Sequence, residues 1–174
     1  MDFEKKEELF EKGKSALEFG RLDEAEEYFT QILEEEPDDV AALNKMGVIY
    51  IYRKDKEKAR EYFERCLELD PEYVPALSNM GNLELEAGNM NRAEMLYRQA
   101  LRFDPQYGPA HNNLAHILKK TGRVSEAVSH MKKAQKAGTF SIDYNSSSTQ
   151  KVNKGCLTII ILSIIVAILW YLTK

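Results

Sequence analysis

The chain has 174 residues, 44% of them hydrophobic and 30% charged, with a formal net charge of −4. A mean hydropathy of −0.46 excludes a polytopic membrane protein, and a pI near 5.5 argues against a protein that coats nucleic acid. Two cysteines, Cys66 and Cys156, cannot build a disulfide framework or a four-thiolate zinc site.

The first eight residues, Met1 to Glu8, lack an apolar core, so no secretory signal is expected there. From Lys6 onward the chain repeats itself at a shift of 34 residues. Gly13, Gly47, Gly81 and Ala115 form one column, and Ala25, Ala59, Ala93 and Ala127 a second. Phe29, Phe63, Tyr97 and Met131 form a third, and Pro37, Pro71 and Pro105 a fourth. Within a unit, apolar residues recur at helical spacing in two stretches, such as Leu43-Met46-Gly47-Tyr50 and Ala59-Phe63-Cys66-Leu67. Small residues at Gly47 and Ala59 let the two helices approach, and Phe63 fills the space beside them. Gly20, Gly88 and Gly122 supply the turns between helices, with Lys54 in the same place in the second unit. Asp70-Pro71 and Asp104-Pro105 stop the second helices, because proline disfavours helix at the residue before it.

A 34-residue period with these residue types resembles the tetratricopeptide repeat, over about 136 residues. The resemblance implies an all-α, right-handed superhelical solenoid of about four helical hairpins. Residues 1–137 are expected to form the repeat domain, with units starting near 6, 40, 74 and 108. Two residues depart from the pattern. His111 stands in the column of Leu9, Leu43 and Leu77, and Glu84 in that of Ala16, Tyr50 and Leu118. Glu84 is expected to snorkel or to find a hydrogen-bond partner.

In tetratricopeptide arrays the first helices of successive units line a concave groove that holds an extended peptide. Carried over by position, the second unit contributes Asn44, Lys45, Val48 and Tyr52. The third adds Ser78, Asn79, Asn82 and Glu86, and the fourth Asn112, Asn113, His116, Lys119 and Lys120. Asn79, Asn82 and Asn113 match asparagines with which family members hold peptide backbone, a task suited to a side chain that both donates and accepts. Consensus asparagines kept for the fold are the alternative reading. The lysine, asparagine and arginine of the carboxylate clamp in chaperone-binding members are not reproduced. One or more of its cationic positions falls to Phe10, Val48, Pro75 or Pro109, so a chaperone-tail receptor is not expected.

Enzyme signatures are absent: there is no G-x-S-x-G, no phosphate-cradling glycine loop and no H-E-x-x-H. His111 and His116 fall on different faces of one helix and His130 on another helix, so no metal or cofactor is expected. Cys66 lies in the small-residue column of Ile32, Ala100 and Ala134 and reads as a packed thiol. Charge is polarised. Residues 1–39 hold 15 acids and 5 bases, whereas residues 106–137 hold 1 acid and 6 bases.

Residues 138–155 read as a polar tether. Within it, Phe140, Ile142 and Tyr144 are expected to fold back over the open end of the fourth unit. Cys156 to Leu172 then runs 17 residues without a charge, at the lower edge of a bilayer span. Residues 156–172 are therefore expected to form one C-terminal transmembrane helix. Cys156 stands at its boundary, Ile160 and Ile164 lie in its apolar body, and Trp170 and Tyr171 stand where an interfacial aromatic belt would lie. With only Thr173 and Lys174 beyond it, the segment reads as a tail anchor that leaves the repeat domain cytoplasmic. The expected function is a membrane-tethered adaptor that binds protein or peptide partners, an acidic extended segment among them, and touches lipid through its tail. A self-associating scaffold component of a secretion, envelope or membrane-shaping assembly is the alternative, and no nucleic-acid partner is expected.

Overall fold

The computed structural model describes residues 1–138, all of which belong to one compact unit. The polar tether beyond Gly138, the fold-back of Phe140, Ile142 and Tyr144, and the anchor over 156–172 lie outside the described residues. Eight α-helices follow in hairpin pairs: α1 (Phe3–Glu18) with α2 (Leu22–Glu35), and α3 (Val40–Tyr52) with α4 (Lys56–Leu69). Then come α5 (Val74–Glu86) with α6 (Met90–Phe103), and α7 (Gly108–Lys120) with α8 (Val124–Lys136). Among the described residues there is no strand.

Local chemistry sets the helix ends. The carboxylates of Asp2, Asp39 and Asp55 accept from the backbone N–H of Lys5, Ala42 and Lys58, capping α1, α3 and α4. In α5 and α7, Pro75 and Pro109 occupy the first turn, where a backbone N–H would have no partner within the helix. Glu36, Asp70 and Asp104 leave helical geometry at the residue before a proline, as the sequence predicts. Gly20, Gly88 and Gly122 adopt φ of 73°, 84° and 79° between the paired helices. Lys54, the predicted stand-in, takes φ 64°.

Each helix packs on its neighbours in sequence, and α3 also touches α5, as α5 touches α7. The second helices of successive units make no comparable contact, so the odd-numbered helices form the inner layer and α2, α4, α6 and α8 the outer one. The core is a run of aromatic-on-glycine contacts. An added Cβ at Gly13, Gly47 or Gly81 would lie 2.6, 2.4 or 2.5 Å from the ring of Phe29, Phe63 or Tyr97, all three fully buried. That distance is within van der Waals overlap, so only glycine admits the ring.

The fourth unit breaks this pattern. Met131 occupies the aromatic column yet is 54% exposed. Ala115 takes the repeat position that glycine holds in the first three units, so the space that admits a ring there is partly filled. No later helix covers α8 among the described residues.

Candidate functional site

The inner face is built by α3, α5 and α7, which bring side chains one repeat apart into contact. Asn79 Nδ2 donates to Asn44 Oδ1 at 3.0 Å, and Asn113 Nδ2 donates to Asn82 Oδ1 at 2.7 Å. The Tyr97 hydroxyl also donates to Asn82 Oδ1, at 2.7 Å. Burial pushes the Tyr97 pKa upward, which keeps the hydroxyl a donor. These bonds tie each first helix to the next. They leave the Asn79 and Asn113 carbonyl oxygens and the Asn82 amide N–H groups without a protein partner among the described residues.

The reading of these asparagines as kept for the fold thus accounts for part of each amide. One half of each amide joins the repeats, and the other half stays available. Two predicted groove residues do not share this exposure. Asn44 is 4% exposed and Ser78 1%, because their shared repeat position turns into the contact between adjacent first helices. They form the floor of the face and do not present side chains to the open groove. Asn112, at the same position in the fourth unit, is half-buried and lies outside the amide bonds.

Around these amides lie the charges. Lys45 is half-buried with, among the described residues, no carboxylate within ion-pairing distance, and desolvation, followed by the charge of Lys14, lowers its pKa. Glu11 and Glu18 of α1 oppose that shift, which puts them near the same cation. Glu11 also pairs with Lys14 at 2.6 Å, whereas Glu7 and Glu18 are exposed. Tyr52 is exposed and Val48 half-buried, while Glu86 is held by Lys56 at 2.9 Å. On the last turns of α7, His116, Lys119 and Lys120 are exposed and have no carboxylate partner among the described residues.

Three features escaped the sequence reading. The first is the Tyr97 hydroxyl, whose only signal was a tyrosine in a phenylalanine column beside the Gly81-Asn82 pair. The second is a series of ion pairs at the junctions between units. Glu26, Arg60 and Glu94 share one repeat position, and each reaches a residue on the next unit's first helix or the turn that ends it. Glu26 binds Arg53 at 2.6 Å and accepts from the Tyr50 hydroxyl at 2.7 Å. Arg60 binds Glu84 at 2.9 Å, and Glu94 binds Arg123. Glu84 thus has the partner the sequence predicted. It is buried, and the amide of Asn89 at 2.8 Å, together with Arg60, holds its carboxyl below the usual range.

The third feature is a histidine pair. Nδ1 of buried His111 lies 2.8 Å from Nδ1 of His130, and His111 Nε2 lies 3.0 Å from the Pro105 carbonyl. A carbonyl only accepts, so His111 carries its proton on Nε2 and takes the His130 Nδ1–H through Nδ1. Helical spacing alone left these rings apart, because His130 arrives from α8. Among the described residues no group of three or more His, Cys, Asp or Glu side chains is placed to hold a metal ion.

Two family models, each described as Tetratricopeptide repeat, match residues 10–74 and 84–147. The chain belongs to the tetratricopeptide repeat family. No curated protein matches it. Among solved structures it is similar to MamA (TM-score 0.60, 21% identity, 76% of this chain and 78% of that one). It is also similar to pilF of Pseudomonas aeruginosa (TM-score 0.67, 18% identity, 77% and 61%). A third neighbour is the first tetratricopeptide domain of Spaghetti (RPAP3) bound to the HSP90 peptide SRMEEVD (TM-score 0.60, 23% identity, 70% and 97%). At these identities the likeness is one of fold. The tetratricopeptide repeats of this chain are protein-interaction repeats.

Proposed function

We propose that this tetratricopeptide protein is a membrane-tethered adaptor that holds an extended, acidic protein segment along its inner face. The observation that carries the reading is the half-used amide row. Asn79, Asn82 and Asn113 are locked in orientation by amide bonds between neighbouring first helices, so their free oxygens and N–H groups are preorganised for a peptide backbone. Unpaired Lys45, Lys119 and Lys120 supply positive charge beside them, with His116 on the same helix as the last two. Glu7, Glu11 and Glu18 at the other end repel an acidic segment and so set its direction. The SRMEEVD peptide held by the Spaghetti domain is likewise rich in carboxylates. Here the chaperone clamp positions remain unfilled, so the amides provide register and the lysines selectivity.

The anchor is assigned to residues 156–172 on sequence alone. Among the described residues no helix is long and apolar enough to cross a membrane. Anchoring confines the groove to a thin layer, where a modest affinity suffices for a partner in the same membrane. Deleting residues 155–174 should abolish carbonate-resistant membrane pelleting, and persistent pelleting would remove the anchor from the reading.

A peptide-array screen of the truncated chain tests the groove. Asn79→Ala with Asn113→Ala should weaken binding at any salt concentration. Lys119→Glu with Lys120→Glu should act mainly at low salt, because exposed charges are screened over about 10 Å at 0.1 M. Basic hits, or hits indifferent to the asparagine pair, would move the self-associating scaffold ahead. Light scattering should then find oligomers where a free-groove adaptor is monomeric.

A further inference from the structure

At each junction inside the array, the second helix of one unit offers a charged side chain to the next: Glu26, then Arg60, then Glu94. The residue at the same repeat position on α8 is Val128, and it is 44% exposed. Val124 and Met131, four residues before it and three after, are 58% and 54% exposed, and this spacing makes one stripe along the helix. The end of the array therefore lacks the ionic contact that each earlier unit uses to receive another repeat. It presents an apolar strip instead.

Two cations flank the strip: Lys132 and Lys136 follow Val128 at intervals of four along α8. Both are exposed and, among the described residues, neither has a carboxylate within ion-pairing distance, unlike Lys6, Lys12, Lys14 and Lys56 earlier in the chain. Among the described residues their charge is thus not neutralised. A helix with an apolar stripe and lysines beside it suits an interface in which the stripe meets acyl chains and the ammonium groups meet anionic headgroups.

We infer that the exposed stripe of α8, through Val124, Val128 and Met131 with Lys132 and Lys136, lies against an anionic lipid surface. The inference rests on the tethering proposed above, since residues 138–155 reach at most about 60 Å from α8 to the apolar run. Contact at α8 would hold the array at a defined orientation on the membrane, with the groove close to the surface.

The test uses the full chain carrying Cys156→Ser, with an environment-sensitive fluorophore on Gln135→Cys, four residues beyond Met131 on the same stripe. A second sample carries the label on Thr30→Cys in the first unit. Each is reconstituted into vesicles of phosphatidylcholine with or without phosphatidylserine, both containing lipid-borne nitroxide quenchers. The label at 135 should be quenched in phosphatidylserine vesicles and much less in phosphatidylcholine alone, with the label at 30 unaffected. Val128→Asp with Met131→Asp, both at exposed positions, should abolish the quenching, and Lys132→Glu with Lys136→Glu should reduce it most at low salt.

An embedded chain whose label at 135 is no more quenched than that at 30 overturns the inference. So does quenching indifferent to phosphatidylserine, or a label already shielded from a water-soluble quencher in detergent, where the chain's own segment or a second copy covers the strip. Release by carbonate sinks the anchor alone, because the lysines and the strip should still bring the label to phosphatidylserine vesicles.

Discussion

Gly81 is the most demanding position in the third unit. A Cβ there would lie 2.5 Å from Cε1 of Tyr97, 2.9 Å from Cδ1 and 3.0 Å from Cζ. The ring is fully buried and cannot swing aside freely, because its hydroxyl is bonded to Asn82 at 2.7 Å. Gly81→Leu therefore falls at the upper end of overpacking costs, about 3 kcal/mol. Replacing a helical glycine returns about 1 kcal/mol, which leaves a net loss of about 2 kcal/mol. For a domain of this length a loss of 1 kcal/mol lowers the melting temperature by roughly 3–4 °C. Thermal unfolding followed by circular dichroism should thus fall by about 7 °C, with hydrogen exchange accelerated first across α5 and α6. A cycle with Tyr97→Leu isolates the cause, since Gly81→Leu should cost much less once the ring is gone. An unchanged midpoint, or an equal loss in both backgrounds, would refute the aromatic-on-glycine account of the core. Gly88→Ala is the control. Its added Cβ meets nothing within 4 Å, so its cost of about 1 kcal/mol is left-handed strain alone and should not depend on Tyr97.

Two further outcomes follow from the Arg60–Glu84 junction and from the histidine pair. Arg60→Ala removes the 2.9 Å partner of buried Glu84 and should cost about 1–3 kcal/mol, while Arg60→Ala with Glu84→Leu should recover most of the loss; denaturant titration of the four variants checks this, and a double variant as unstable as the single one contradicts it. Desolvation, with His111 next, lowers the His130 pKa, so the unfolded chain takes up a proton that the folded chain resists. Stability should be fully present above the unfolded value near 6.5 and decline as pH falls below it, before the carboxylates titrate. His130→Gln, measured by melting between pH 7 and 5, should flatten that decline, and an unaltered slope would show that the pair does not govern it.

The sequence determined the repeat: its period, the helix ends, the left-handed turns and the aromatic seated on glycine. These depend on contacts within one 34-residue unit, where the spacing of Gly47, Ala59 and Phe63 already encodes which atoms meet. That Glu84 must snorkel or find a partner was also legible, since a lone acid in an apolar column cannot stay buried unpaired; the structure shows the second outcome. What only the tertiary structure decided lies between units. Whether an asparagine amide faces a peptide or the neighbouring helix depends on how α3, α5 and α7 sit against one another. That placement put Asn44 and Ser78 in the floor and left half of Asn79, Asn82 and Asn113 open. The same holds for the alternating Glu26, Arg60 and Glu94 contacts, which join residues more than 20 positions apart whose side chains meet only after the hairpins stack. The His111–His130 pair forms inside one unit, but only once α8 packs on α7. Met131 shows the limit from the other side. Its column predicts burial, but burial needs both a glycine to receive the side chain and a following helix to cover it, and the fourth unit has Ala115 and, among the described residues, no helix after α8.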